Sequence, residues 1–407
     1  MSKNDSKHSS CGESMRIGFL GGSFNPVHCG HIAIARQALT EFSLDKVLLI
    51  VAADPPHKEI AFHVSASERL KMLECGLAEE ARIEASGIEL EREGKSYTYD
   101  TVQQLYKAYP GAELFCIVGA DMLCDLPNWY RAEELLKSVV FVGFARGGEP
   151  CDVKSAAESL NARYGARVLL SKTSGPELSS TEIRNRVYAA KSVSCMLPEG
   201  AERYLYENGL YLPADVRIKQ EKLRAALNEE RYVHTMGTVR AAVLLAQCYG
   251  ADGEKARLAA LLHDCAKVSK EGMAQYLKRF EVSPVGYSKG SPGILHGAIG
   301  AEVAREDYGV SDPEVLMAIA NHTVCSQGMS VLEKITYVAD KIEPTRNFCG
   351  VEELRAEAMR GLNEGVLACM DYGIKHLKEK GKAIDPCIFE AREYLIHHDI
   401  KNKEALH

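Results

Sequence analysis

The sequence predicts a parallel α/β domain followed by an all-α domain. From Met15 to about Leu212, short apolar runs alternate with amphipathic stretches. After Leu212-Pro213-Ala214-Asp215 the strand pattern stops and helical periodicity takes over. The 407 residues leave room for both, at roughly 100–200 residues per domain. Hydrophobic residues at 46% and charged residues at 26% are ordinary for folded protein and exclude a largely disordered or collagenous chain. A net charge of −7 and a single tryptophan, Trp129, argue against a nucleic-acid partner, which needs a basic face and stacking rings.

The strands come first. Arg16–Leu20, Lys46–Ala52, Glu113–Val118, Val139–Phe144 and Arg167–Leu170 are strand-like apolar runs. Runs apolar on both faces belong in a parallel sheet covered by helices. The covering helices are expected at Ile32–Thr40, Ser67–Leu77, Thr98–Tyr109, Ala132–Lys137 and Val153–Tyr164. In the second half, helical period runs through Lys219–Leu227, Val239–Cys248, Lys255–Cys265, Gly297–Tyr308, Glu314–Asn321, Val331–Ile342 and Glu352–Leu377. Pro292-Gly293 and Gly328 read as loop punctuation. The expected organisation is a disordered tail over 1–14, an α/β domain over 15–212, a linker over 213–217 and a helical domain over 218–407. No apolar run approaches the roughly 20 residues of a membrane span, so no membrane partner is expected. Thirteen scattered cysteines without a CxxC pair read as reduced thiols, and a cytoplasmic location is the expectation.

The first strand runs into Gly21-Gly22-Ser23-Phe24-Asn25-Pro26-Val27-His28-Cys29-Gly30-His31, which opens a helix. Gly21 and Gly22 let a ligand approach the backbone. A helix N-terminus carries free N–H groups and a positive dipole end, which suit phosphate. His28 and His31 share a helix face and offer donors to an anion whose charge grows during reaction. A second segment, Ser179-Ser180-Thr181-Glu182-Ile183-Arg184, has serines fit for N-capping, a threonine hydroxyl and an arginine one turn on. Together they resemble the two phosphate-binding motifs of the nucleotidyltransferase superfamily, a Rossmann-like fold.

Three more stretches narrow the resemblance: Asp54-Pro55-Pro56-His57-Lys58, Ser96-Tyr97-Thr98-Tyr99-Asp100-Thr101, and Gly119-Ala120-Asp121 with Trp129 following. The combination is similar to bacterial nicotinate-nucleotide adenylyltransferases. The resemblance implies adenylyl transfer from ATP, with Mg²⁺, to nicotinate mononucleotide. It implies that His28, His31 and Arg184 bind the triphosphate, and that Gly21, Gly22, Ser23, Phe24, Ser179, Ser180 and Thr181 shape the nucleotide site. Lys58 would meet phosphate, Asp121 ribose, Thr98 the nicotinate carboxylate, Trp129 the pyridine ring and Arg146 the adenylate. A catalytically silent nucleotide-binding module is the rival reading.

In the second half, His234, His263-Asp264, His296, His322 and Asp340 lie on separate helical segments. Imidazole and carboxylate ligands without thiolate suit Fe, Mn, Co or Zn. The ordered set resembles the HD phosphohydrolase superfamily, with His234, His263, Asp264 and Asp340 as its one-metal set. His296 and His322 match the two-metal version, bridged by Asp264, and iron is the favoured metal. Lys267 would meet a phosphate. Leu295-His296-Gly297, Asn321-His322-Thr323 and Ala339-Asp340-Lys341-Ile342-Glu343-Pro344 resemble the YqeK-like symmetrical bis(nucleosyl)-tetraphosphatases. That resemblance implies cleavage of diadenosine tetraphosphate into two ADP. Another nucleotide substrate, or a regulatory or dimerisation role, remains the alternative, and homo-oligomerisation is left open.

Overall fold

A computed structural model of the chain describes residues 14–53, 62, 64–92, 94–145, 153–280, 292–323, 325–382 and 384–400. The chain divides into two compact units. One comprises Met1–Ile183 with Cys195–Tyr204, the other Arg184–Ser194 with Leu205–His407. Of the tail, only Ser14 is described, and its Oγ donates to Gly111 O at 2.5 Å.

The first unit is built on six parallel strands: β1 (Arg16–Gly22), β2 (Lys46–Val51), β3 (Ile83–Ser86), β4 (Glu113–Gly119), β5 (Val140–Phe144) and β6 (Arg167–Leu170). Their order is β3-β2-β1-β4-β5-β6. The expected strands are present. Sequence reading missed β3, a four-residue edge strand of which only Ile83 is buried. Such a segment is too short to show a period. Its helices are α1 (Cys29–Glu41), α2 (Ala66–Gly76), α3 (Thr98–Ala108), α4 (Ala120–Asp125), α5 (Ala132–Ser138) and α6 (Val153–Tyr164), together with α7 (Ser180–Tyr188) as far as Ile183 and α8 (Glu199–Glu207) as far as Tyr204. Ile17, Phe19, Leu48, Ile50, Leu114, Phe141 and their neighbours form one continuous core cluster.

Strand order reverses between β1 and β4, so chain leaving these two strands diverges and opens a crevice at their carboxyl ends. Gly21-Gly22 and Gly119-Ala120-Asp121 both lie there. Arg69, on α2 and only 1% exposed, fixes one wall. Its Nη1 donates to Ser23 O at 2.5 Å and its Nη2 to Ala52 O at 2.9 Å. One buried guanidinium thus ties the chain leaving β1 to the chain leaving β2.

The second unit is helical: α9 (Ala214–Ala226), α10 (Glu229–Tyr249), α11 (Gly253–Leu262), α12 (Lys270–Phe280), α13 (Pro292–Tyr308), α14 (Pro313–Asn321), α15 (Val331–Ile342), α16 (Val351–Arg360), α17 (Leu362–Glu379) and α18 (Pro386–Tyr394). Two expectations about the helices need correction. Pro292 opens α13 instead of interrupting the chain before it, because proline suits a first helical turn, where its missing N–H has no partner to lose. Glu352–Leu377 is not one helix. Gly361, with φ −171° and ψ 144°, is extended and separates α16 from α17. Gly328 does lie in a turn, at φ +70°. Cys124 is disulfide-bonded, against the expectation of reduced thiols throughout, whereas ten other described cysteines form no disulfide. No helix among the described residues is long and apolar enough to cross a membrane.

Arg69→Met should lower unfolding free energy by about 1–3 kcal/mol, since it strands two carbonyl acceptors. The measurement is the urea midpoint, and an unchanged midpoint would make the clamp incidental.

Candidate functional site

In the first unit, the crevice is edged by two helix N-termini. His28 is the N-cap of α1, in extended backbone, so its ring stands at the mouth of the helix. The His28 N–H donates to His31 Nδ1 at 3.2 Å. A ring nitrogen that accepts carries no proton, so the neutral His31 imidazole holds its proton on Nε2 and presents a donor. The two rings stack at 3.6 Å between centroids, and Phe24 meets His31 edge-on at 4.9 Å. Phe24 is buried beneath Gly22, with its backbone at φ +44°. Gly30 is needed for space: a Cβ there would lie 3.0 Å from His28 Nδ1.

The second motif comes to the same place. Ser180 Oγ donates to Pro26 O at 2.9 Å, two residues before His28. Leu178 Cβ lies 3.6 Å from where a Gly30 Cβ would be. Ser179 Oγ accepts from Thr181 N at 3.2 Å and so caps α7. The N-termini of α1 and α7 are therefore neighbours, and each brings a positive dipole end to the crevice. Arg184 follows one turn along α7. It is partly buried, and burial lowers its pKa from the usual guanidinium value.

The other expected residues fall as follows. Thr98 begins α3, whose N-cap Tyr97 makes no side-chain cap bond. Trp129 follows the short 3₁₀ turn Leu126–Asn128 and is partly buried against the core. The neighbours of these two meet, Tyr97 against Tyr130 at 4.6 Å, which puts the Thr98 and Trp129 segments side by side. Asp121 lies on α4 just beyond β4. Lys58 and Arg146 lie outside the described residues.

In the second unit, the six expected metal-type residues converge. His263 is the C-cap of α11 and His322 the C-cap of α14. His263 Nδ1 lies 2.7 Å from Ala260 O, and His322 Nδ1 lies 2.7 Å from Ile319 O. A carbonyl only accepts, so each Nδ1 carries the proton and each Nε2 keeps a lone pair. His296 Nε2 is 3.0 Å from His322 Nε2 and 3.2 Å from Asp264 Oδ1. His263 Nε2 lies 3.8 Å from Asp264 Oδ2 and 3.7 Å from Asp340 Oδ1. His234 Nε2 reaches Asp340 Oδ1 at 2.9 Å. His263, Asp264, His296, His322 and Asp340 are all buried.

His263 Nε2 and Asp264 Oδ1 are buried polar atoms without a hydrogen-bond partner. Lone pairs packed against lone pairs repel unless a cation stands among them. Two overlapping groups fit one ion each: His234, His263 and Asp340, and His263, Asp264 and His322, their ligand atoms within 4.8 Å of one another. The set fits a transition-metal centre of nitrogen and oxygen ligands. Burial pushes the His263 imidazole down to about 4, which keeps it neutral and able to ligate. Burial would raise Asp340, but the Lys341 charge and then His234 hold it well below the usual carboxylate range. Burial would likewise raise Asp264, but the imidazoles around it and the Lys267 ammonium hold it well below the usual carboxylate range.

Sequence reading missed Glu343. It is fully buried, with Oε1 3.1 Å from His234 Nδ1. Thr345 holds it by donating N–H to Oε2 at 2.7 Å and Oγ1 to Oε1 at 2.6 Å. A carboxylate behind a ligating imidazole fixes the ring and turns Nε2 toward the ion. Gly237, one turn after His234, makes room for it, since a Cβ there would lie 2.2 Å from Glu343 Oε2. The available sequence signal was the acid three residues after Asp340.

Residues 19–186 match the family model described as cytidylyltransferase-like, and residues 231–345 match the HD domain. The chain is 38% identical over 200 residues to the probable nicotinate-nucleotide adenylyltransferase of Synechococcus sp. (strain JA-3-3Ab), covering 49% of this chain and 96% of that protein. It is 42% identical over 199 residues to the one from Halalkalibacterium halodurans, covering 48% and 91%. Among solved structures, a predicted HD superfamily hydrolase involved in NAD metabolism from Clostridium acetobutylicum is 40% identical, covers 44% of this chain and 96% of that chain, and gives a TM-score of 0.40.

Two outcomes are expected. Gly30→Ala should push the His28 ring off its stack on His31, read as shifted imidazole resonances of both residues. Glu343→Ala should lower affinity for one divalent transition-metal ion by roughly 10–100-fold, read by chelator competition. Full affinity would leave Glu343 a packing residue only.

Proposed function

Since the chain belongs over its N-terminal half to the nicotinate-nucleotide adenylyltransferase family and carries an HD domain behind it, we propose a bifunctional enzyme. Its first unit transfers adenylyl from ATP to nicotinate mononucleotide, and its HD domain hydrolyses diadenosine tetraphosphate to two ADP.

The observation that carries the first activity is the meeting of the two phosphate-binding segments through Ser180 and Pro26. A triphosphate laid across the N-termini of α1 and α7 meets backbone N–H groups, the His31 Nε2–H and Arg184. The mononucleotide phosphate oxygen attacks the α-phosphorus, the bond to the bridging oxygen breaks, and pyrophosphate leaves with the charge. Magnesium arriving with ATP supplies neutralising charge on the leaving group. The chain's own residues position the groups and stabilise charge that develops outside the ground state. At the other end of the substrate, the uncapped N-terminus of α3 at Thr98 receives the nicotinate carboxylate, and Trp129 lies beside it for stacking.

The observation that carries the second activity is the pair of orphaned buried atoms, His263 Nε2 and Asp264 Oδ1. His234, His263, Asp264, His296, His322 and Asp340 would hold two ions, with iron favoured. A bound metal pair supplies Lewis-acid charge and acidifies the attacking water. Water adds its oxygen to one central phosphorus, the bridging P–O bond to the other breaks, and the departing ADP takes the remaining proton. Lys267 Nζ, 3.1 Å from Asp264 Oδ2 and partly exposed, stands where a phosphate oxygen would arrive.

His31→Ala should cut adenylyl transfer by on the order of 10²–10³ in turnover while hydrolysis persists. Asp264→Ala should strip metal and hydrolysis while transfer persists. Both activities would be assayed on each variant of the full chain. Unchanged turnover in His31→Ala, or full metal and hydrolysis in Asp264→Ala, overturns the corresponding half. Nicotinate mononucleotide should also be preferred over the nicotinamide form, because an uncharged amide forfeits a charge-assisted bond of roughly 1.5–3 kcal/mol. Equal kcat/KM on the two would refute that assignment.

A further inference from the structure

The two metal-side carboxylates carry more than their ligand neighbours. Asp264 faces Lys267 and, at 3.6 Å from Oδ2, Arg231 Nη1. Asp340 faces Lys341 and, at 3.2 Å from Oδ1, Arg346 Nη2. Each of the two overlapping ligand groups thus has its own lysine and its own arginine. Even with Glu343 counted, these cations outnumber the carboxylates they touch, and metal ions would add to the excess. Such a site suits a polyanion.

The arginines are not spent on folding to the same degree as an ordinary buried pair. Arg231 lies in the first turn of α10, and its side chain is 31% exposed. Its 3.6 Å approach to Asp264 is too long for a hydrogen bond, and its guanidinium makes no other contact among the described residues. Arg346, 38% exposed, spends Nε and Nη2 on Asp340 and leaves Nη1 uncommitted among the described residues. A planar fork with open donors beside a metal centre matches phosphate bidentately, which a lysine cannot do.

We propose that Arg231 and Arg346 are substrate-binding residues that set where the phosphate chain is cut. Arg231 grips phosphate on the Asp264 side and Arg346 grips it on the Asp340 side, so the chain lies across the centre with phosphate on both flanks. This deepens the hydrolase reading and rests on it. A substrate gripped on both sides is cleaved between two phosphates that each keep an outer neighbour, which in a tetraphosphate is the middle bridge.

The test uses the full chain loaded with Mn²⁺, as wild type, Arg231→Met, Arg231→Lys and Arg346→Lys. Metal per chain, binding of inorganic tripolyphosphate by calorimetry, and the products of diadenosine tetraphosphate are measured on each. Arg231→Met should keep its metal, bind tripolyphosphate roughly ten- to a hundredfold more weakly, and release ATP and AMP beside ADP. The two lysine variants should fall between, since charge remains and the fork is lost. Wild-type tripolyphosphate affinity together with an unchanged product ratio in Arg231→Met overturns the proposal, as does loss of metal from that variant, which would make Arg231 a support for Asp264. If wild type leaves diadenosine tetraphosphate intact while its tripolyphosphate binding still depends on Arg231, the hydrolase substrate is wrong and the arginine grip stands.

Discussion

Both sites depend on one constraint: at His31, His263 and His322 the main chain decides which nitrogen of the imidazole carries the proton. At the start of α1 the backbone has N–H groups to give, so His31 Nδ1 accepts and its outer nitrogen is a donor. At the ends of α11 and α14 the backbone has carbonyls to satisfy, so His263 and His322 donate from Nδ1 and their outer nitrogens are acceptors. One residue type therefore offers a donor at a helix beginning and acceptors at helix ends. The polarity follows from helix geometry before any ligand is considered.

The same logic arranges the supports. In the α/β unit the strand-order reversal makes the crevice, and Arg69 and Ser180 hold the loops that line it by bonding to carbonyls at Ser23, Ala52 and Pro26. In the helical unit Glu343 and Thr345 do the converse, occupying the far side of His234 so that only Nε2 faces inward. Each site is made by satisfying one set of polar atoms and leaving the other set facing the space between elements.

What was legible in the sequence was local or chemically rare. His28, Gly30 and His31 lie within one turn, and β1 before them is a continuous apolar run, so strand, turn and helix could be read together. The six metal-type residues could be read because histidine and aspartate are uncommon at apolar helix faces. The edge strand Ile83–Ser86 could not, having one buried side chain to mark it. The break at Gly361 was hidden because apolar spacing continues on both sides of a residue whose backbone alone departs from the helix. Arg69 and Glu343 were invisible for a different reason. Arg69 clamps carbonyls 17 and 46 residues away and Glu343 holds an imidazole 109 residues away, and charged residues carry no pattern that separates a buried clamp from a solvated side chain.

Gly237 shows where such invisible dependence leads. It faces Glu343, touches no ligand and sits inside an ordinary helix. By helix propensity alone, alanine would be an improvement there by about 1 kcal/mol. A drift of this kind would strengthen α10 while displacing the carboxylate that aims His234. Position 237 is therefore tied sterically to position 343: a side chain at 237 needs the space that the Glu343 carboxylate fills. A change at a residue outside the candidate ligand set would reach that set through the displaced carboxylate alone.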